Sequence, residues 1–203
     1  ALAYNKELIR FESTSPLSNV EVSNYCEDKL KALGFAIERI EYDDANGVRK
    51  ANVMAKKGNG SGGVAYFCHT DVVPADTWSI KEHGPFEPAV VGDKLYGRGS
   101  LSCALAAADR FSADELKQPF YITCTADEEV GYIGAKQVAE KSKLYREMVE
   151  GDARGIIGEP TMLEVVYAHK GTTGFSAVSQ GRAAHSSTDK GLNANLAMIP
   201  FLA

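Results

Sequence analysis

Three short stretches of this 203-residue chain group side chains that could do chemistry. The first is His69-Thr70-Asp71, directly after the apolar run 64–68. On an extended backbone, residues i and i+2 point to the same side, so Asp71 is placed to accept a hydrogen bond from one ring nitrogen of His69. That would fix the tautomer and leave the other nitrogen free for a metal. The second is Glu128-Glu129, after the β-rich run 120–125. Adjacent carboxylates can divide labour, one binding a metal and its neighbour holding a water as general base. The third is Glu159, in Gly158-Glu159-Pro160-Thr161 after Ile156-Ile157. Taken singly, each is more often ordinary: a hydrogen-bonded pair, a solvated loop, a carboxylate before a proline turn. Together they make a shell of nitrogen and oxygen donors that suits zinc, and also cobalt or manganese.

The elements that must position these residues can be read from hydrophobic periodicity. A short helix places Leu8 and Phe11 on one face and ends before Ser15-Pro16. A second follows Ser18 as N-cap, buries Val22, Leu30 and Leu33, and stops at Gly34. Strands are expected at 35–41 and 48–55, across the turn cluster 43–47. The glycine-rich loop 57–63 leads to the buried strands 64–68, 120–125 and 155–158, with helices at 101–111 and 135–145 between them. This alternation predicts an α/β sheet, and in open α/β sheets ligands bind beyond the carboxyl ends of the strands. That is where His69, Glu128, Glu129 and Glu159 fall. Further on, strands are expected at 165–169 and 175–180 and a helix at 193–202, with a hinge near Gly171.

Composition narrows the classes. Lys and Arg number 22 against 27 Asp and Glu, a net charge of −5, which argues against a nucleic-acid partner. Hydrophobic residues at 44% and charged residues at 24% fit a folded globular chain and not a disordered one. No apolar run approaches the ~18 residues a membrane span needs. The first ten residues, rich in polar and charged types, do not read as a secretion signal. Cys26, Cys68, Cys103 and Cys124 form no CxxC pair and read as structural thiols in a reducing, cytoplasmic compartment.

Taken in order, four motifs resemble those of the M20 metallopeptidases, the acetylornithine deacetylase and succinyl-diaminopimelate desuccinylase type. They are His69-Thr70-Asp71-Val72-Val73-Pro74, Lys94-Leu95-Tyr96-Gly97-Arg98-Gly99, Ala126-Asp127-Glu128-Glu129-Val130-Gly131 and Gly158-Glu159-Pro160-Thr161. The segment Gly181-Arg182-Ala183-Ala184-His185-Ser186-Ser187 also resembles the start of that family's lid.

The resemblance implies a three-layer, zinc-peptidase-like sheet with helices on both faces, then the start of a ferredoxin-like α+β lid and dimerisation domain. The expected boundaries are 1–170 for the N-terminal part of the catalytic domain and 171–203 for the beginning of the lid. It implies that His69 and Glu159 bind one metal, Glu129 a second, Asp71 orients His69, and Glu128 is the general base. His185 would serve the active site of a neighbouring subunit in a homodimer. One or two zinc ions, or cobalt or manganese, would assist cleavage of the amide bond of an N-acyl amino acid or small peptide.

Two departures stand against this pattern. Ser102 occupies the place of the carboxylate that bridges the two metals, and a neutral hydroxyl brings neither the charge nor the two strong oxygen donors. The chain also stops at Ala203, inside the expected first lid helix and before a last His ligand. The alternative expectation is therefore a catalytically impaired or non-catalytic M20-like fragment, the chain being the N-terminal portion of something longer.

Overall fold

The computed structural model describes residues 1–99, 103–159, 161, 164–168, 170–171 and 174–202, with Cys103 described by its backbone alone. Two compact units result, Ala1–Pro160 and Thr161–Ala203.

In the first unit, α1 (Leu2–Ile9) and α2 (Val20–Ala32) precede β1 (Ala36–Asp43), β2 (Arg49–Lys57) and β3 (Val64–His69). The small antiparallel ribbon of β4 (Ala89–Val91) and β5 (Lys94–Tyr96) follows, then α3 (Cys103–Ala108), β6 (Phe120–Thr125), α4 (Ile133–Lys141), α5 (Lys143–Glu150) and β7 (Arg154–Ile157). The main sheet has the order β1-β2-β6-β3-β7. β2 runs antiparallel to β1 and β6, whereas β3 lies parallel to both β6 and β7. Parallel pairing is what brings three carboxyl ends to one edge: His69 sits opposite Thr125, and Phe67 opposite Ile157.

Strand alternation sorts side chains between two covering layers. Val53 and Ala55 of β2, Ile122 and Cys124 of β6, and Tyr66 and Cys68 of β3 pack with Leu8, with Val22, Cys26 and Leu30 of α2, and with Ala104, Leu105 and Ala108 of α3. The intervening residues turn the other way. Met54 meets Ile40 and Val138 of α4, and Ala65 and Tyr121 meet Met148 of α5. Each fully buried large apolar side chain contributes ~1.5–3 kcal/mol, so this helix–sheet–helix sandwich supplies the rigidity of the strand tips. The expected mixed α/β sheet with helices on both faces is the observed fold.

Local signals explain several boundaries. α2 ends in a Schellman turn: Phe35 N–H donates to Leu30 O at 3.0 Å and Gly34 N–H to Lys31 O at 3.0 Å, with Gly34 at φ +82°. Asn19, not Ser18, is the N-cap of α2. Ser18 stands one residue ahead, its hydroxyl donating to Arg49 O at 2.6 Å.

The helix expected at 135–145 is two helices broken at Ser142. That residue is extended at ψ 130° and caps α5 by accepting Tyr145 N–H at 2.8 Å. From β1, Glu38 accepts Ser142 Oγ, Lys143 N–H and Leu144 N–H at 2.6, 2.8 and 2.9 Å. That carboxylate, distant in sequence, decides the break. The β4–β5 ribbon carries no strong alternation and was not expected.

In the second unit, Arg182 and Leu192 form an antiparallel bridge before α6 (Ala194–Leu202). Phe175 and Phe201 meet edge-on at 6.4 Å. The strands expected at 165–169 and 175–180 do not form among the described residues. Among the described residues no neighbouring strand pairs with them, and Val165, Tyr167, Phe175 and Val178 are more than four-fifths exposed. His169 of the first lies outside the described residues. No described helix is long and apolar enough to cross a membrane.

Candidate active site

His69 is the last residue of β3, with its side chain about one-fifth exposed. Its Nδ1 lies 2.8 Å from the main-chain carbonyl of Asp71 and 3.5 Å from Asp71 Oδ1. A main-chain carbonyl as well as a carboxylate thus orients the ring. Nε2 lies 3.4 Å from Glu159 Oε1 and 4.0 Å from Glu128 Oε2. His69, Glu128 and Glu129 each offer a donor atom within 4.8 Å of the others.

Asp71 is 1% exposed and does more than steer the imidazole. Oδ1 accepts Glu128 N–H at 3.1 Å; Oδ2 accepts Glu129 N–H at 3.3 Å and Ser15 Oγ–H at 2.8 Å. One carboxylate thus ties the tip of β3 to the turn that carries both glutamates. The turn itself spans the end of β6 and the start of α4. Asn52 of β2 clamps both ends, accepting Ala126 N–H at 2.9 Å and donating to Gly134 O at 3.2 Å. Gly134 is required there, because a Cβ would stand 2.1 Å from Ala126 O.

Between the clamps, Asp127 adopts φ +58° and is 1% exposed. Its Oδ1 pairs with Lys50 Nζ at 3.0 Å and its Oδ2 accepts Tyr42 O–H at 2.7 Å. Burial, then the Asp127 carboxylate, push the Tyr42 phenol well up, so it remains a donor. Ser15, Tyr42, Lys50 and Asn52 were not legible as site residues. The available signal was the polar Lys50 and Asn52 on either side of Ala51, in a strand that continues as Val53-Met54-Ala55.

Electrostatics follow from this crowding of carboxylates. Burial disfavours the charged form of His69, but the Asp71 carboxylate, its carbonyl and Glu128 outweigh it and raise the imidazole to about 9. Burial raises Asp71 also, yet His69, Ser15 and the Glu128 N–H hold it below the ordinary carboxylate range. Glu128 moves up, first by burial and then by Glu129, Glu159 and Asp71, with His69 opposing. A raised carboxylate beside a cluster of oxygen donors is the profile of a general base. The donor set of one imidazole and several carboxylates fits a divalent metal of the zinc, cobalt or manganese kind.

Ser102 lies outside the described residues. His185 belongs to the second unit, in an exposed turn where its Nδ1 is 2.8 Å from Ser187 Oγ and its carbonyl accepts Thr188 Oγ1–H at 3.0 Å.

Comparison with known proteins agrees with the motif order. Residues 65–197 match the model of peptidase family M20/M25/M40. An acetylornithine deacetylase of Myxococcus xanthus is 36% identical over 200 residues, covering 93% of this chain and 49% of the relative. The chain therefore spans about half the length of that relative. Human carnosine dipeptidase 1 superimposes with a TM-score of 0.62 at 21% identity, over 75% of this chain and 36% of that one. A tripeptidase from Staphylococcus aureus superimposes with a TM-score of 0.59 at 18% identity, over 99% and 55%. With strand-tip motifs, fold and sequence match in agreement, this chain belongs to peptidase family M20/M25/M40.

Proposed function

We propose that the protein is a metal-dependent hydrolase of the amide bond in N-acyl amino acids or small peptides. The observation that carries this is the convergence of His69, Glu128 and Glu129 donor atoms within 4.8 Å, with Glu159 3.4 Å from the free nitrogen of His69. His69 and Glu159 would hold one divalent ion, Glu129 a second, and Asp71 keeps the imidazole and the glutamate turn in register. Zinc, or cobalt or manganese, bound there would supply Lewis acidity toward the substrate carbonyl and toward water. Glu128 takes a proton from the attacking water and returns it to the leaving amine; its upward-shifted carboxylate suits both transfers.

The family resemblance supports a homodimer formed through the second unit, with His185 donating to the oxyanion in a neighbouring subunit's site. It also supports a catalytic domain over 1–170 and a lid beginning over 171–203. The cysteine pattern supports a cytoplasmic setting.

In the intact protein, Glu128→Gln should lower turnover of an N-acyl amino acid at least ~100-fold while bound metal, measured by elemental analysis, stays near the wild-type value. Loss of metal together with activity would overturn the base assignment. A second reading rests on Ser102, which removes the bridging carboxylate the resemblance calls for. On that reading the protein keeps the fold and at most one weakly held metal, without turnover. Two tightly bound metals with turnover in the same measurements would sink it.

A further inference from the structure

We infer that Lys50 is a positioning residue for the turn bearing Glu128 and Glu129, acting through Asp127; this rests on reading the strand-tip cluster as the active site. Lysine is almost never fully buried unless paired, yet Lys50 is 0% exposed, in the sheet interior. The ammonium donates to Ser15 O and to Leu17 O at 2.7 Å, and forms an ion pair with Asp127 Oδ1 at 3.0 Å.

These hydrogen bonds and the ion pair close a ring. Lys50 holds the carbonyl of Ser15, and the hydroxyl of Ser15 donates to Asp71 Oδ2 at 2.8 Å. Asp71 accepts the N–H groups of Glu128 and Glu129. The chain then leads back one residue to Asp127, whose carboxylate returns to Lys50. Asp127 sits at φ +58°, a sparsely populated conformation for a non-glycine residue. Such a conformation persists only where its surroundings over-determine it, and the Lys50 ion pair on one carboxylate oxygen with the Tyr42 hydrogen bond on the other does so. The direction of the next two residues follows from it. A hydrophobic side chain of the same length would fill the space but could not join the 13–17 loop to the glutamate turn. Lys50 touches no reacting atom; its effect is the aim of two carboxylates.

A competing role would be charge neutralisation of Asp127 alone. The double variant Lys50→Met/Asp127→Asn separates the two. It removes both charges, and Asn tolerates the left-handed backbone and can still accept the Tyr42 hydroxyl. The measurements, on the intact protein, are amide hydrogen exchange at Glu128 and Glu129 and zinc affinity by chelator competition.

The expected result is a folded variant whose strand amides in β2 and β6 exchange as in wild type. The Glu128 and Glu129 amides should exchange about tenfold faster or more. Zinc affinity should fall about 10–100-fold. Wild-type protection of both amides in the folded double variant would overturn the proposal. Should that variant not fold, Ser15→Ala removes the 2.8 Å bond to Asp71 through which the Lys50–Ser15 contact reaches the glutamate turn, and takes over the amide test. Faster exchange at both glutamates then supports the ring, and unchanged exchange overturns it. A wild-type protein that protects both amides but binds no zinc would count against the metal-site reading, while the amide comparison still decides the role of Lys50.

Discussion

His69 carries two demands that oppose each other. As a metal ligand it must be neutral, yet its surroundings raise it to about 9 and so keep it protonated near neutrality in the metal-free protein. The sign follows from linkage. A pKa raised from 6.5 in the unfolded chain gives stability that is fully present below about pH 6.5 and is lost as pH rises to about 9. Urea unfolding of metal-free protein should therefore show stability falling over that window, and His69→Gln should abolish this dependence. Metal loading must expel the same proton, so zinc affinity should climb about tenfold per pH unit over the same window. Calorimetry in buffers of different ionisation enthalpy should count about one proton released at neutral pH; none released would refute the account. Asp71 contributes in the opposite direction, its stabilisation present above the ordinary carboxylate range and lost as pH falls through its depressed pKa.

At the scale of elements, long-range side chains decide where local signals compete. The residues around Ser142 read as one continuous helix because Val138, Leu144, Tyr145 and Met148 recur at helical spacing. Glu38 settles the matter from β1 by accepting three donors at the start of α5. Its pKa is lowered: burial raises it, but those hydrogen bonds prevail. Glu38→Ala should cost about 1–2 kcal/mol at neutral pH, as loss of a helix cap does, without altering zinc affinity. The wild-type advantage should shrink as pH falls through the depressed pKa of Glu38, which urea titrations at pH 7 and pH 3 would show. A cost independent of pH would mean the contribution is packing. The paired glutamates follow the same rule, since their turn is held by Lys50 and Asn52 of β2 and by Asp71 after β3, all distant in sequence.

The whole molecule presents apolar surface that its described residues do not cover. Among the described residues β7 pairs with β3 on one side only, and its Ile156 and Ile157 are 51% and 67% exposed. In the second unit, Leu196, Ile199, Phe201 and Leu202 of α6 are all more than half exposed. An open strand edge carrying exposed isoleucines is a template for pairing with another chain. Residues 1–203 expressed alone should therefore self-associate at micromolar concentration, and Ile157→Lys should shift sedimentation toward monomer. A monodisperse wild-type monomer would contradict this. The family match runs over residues 65–197, whereas compactness divides at Pro160.

Sequence by itself determined the family, the alternation of strands and helices in the first unit, and the residues His69, Asp71, Glu128, Glu129 and Glu159 as candidates. Those are signals carried within a few neighbouring positions: an apolar run, a turn, a ligand type at its end. Only the tertiary structure decided that β3, β6 and β7 lie parallel and adjacent, since strand order leaves no trace in local periodicity. It also showed Asp71 holding the glutamate turn and Lys50 buried against Asp127. The physical reason is one of range. Hydrophobic period and turn chemistry act over a handful of residues, whereas Ser15, Lys50, Asp71 and Asp127 meet only after the sheet has closed, and a buried polar group reveals its purpose only through its partners.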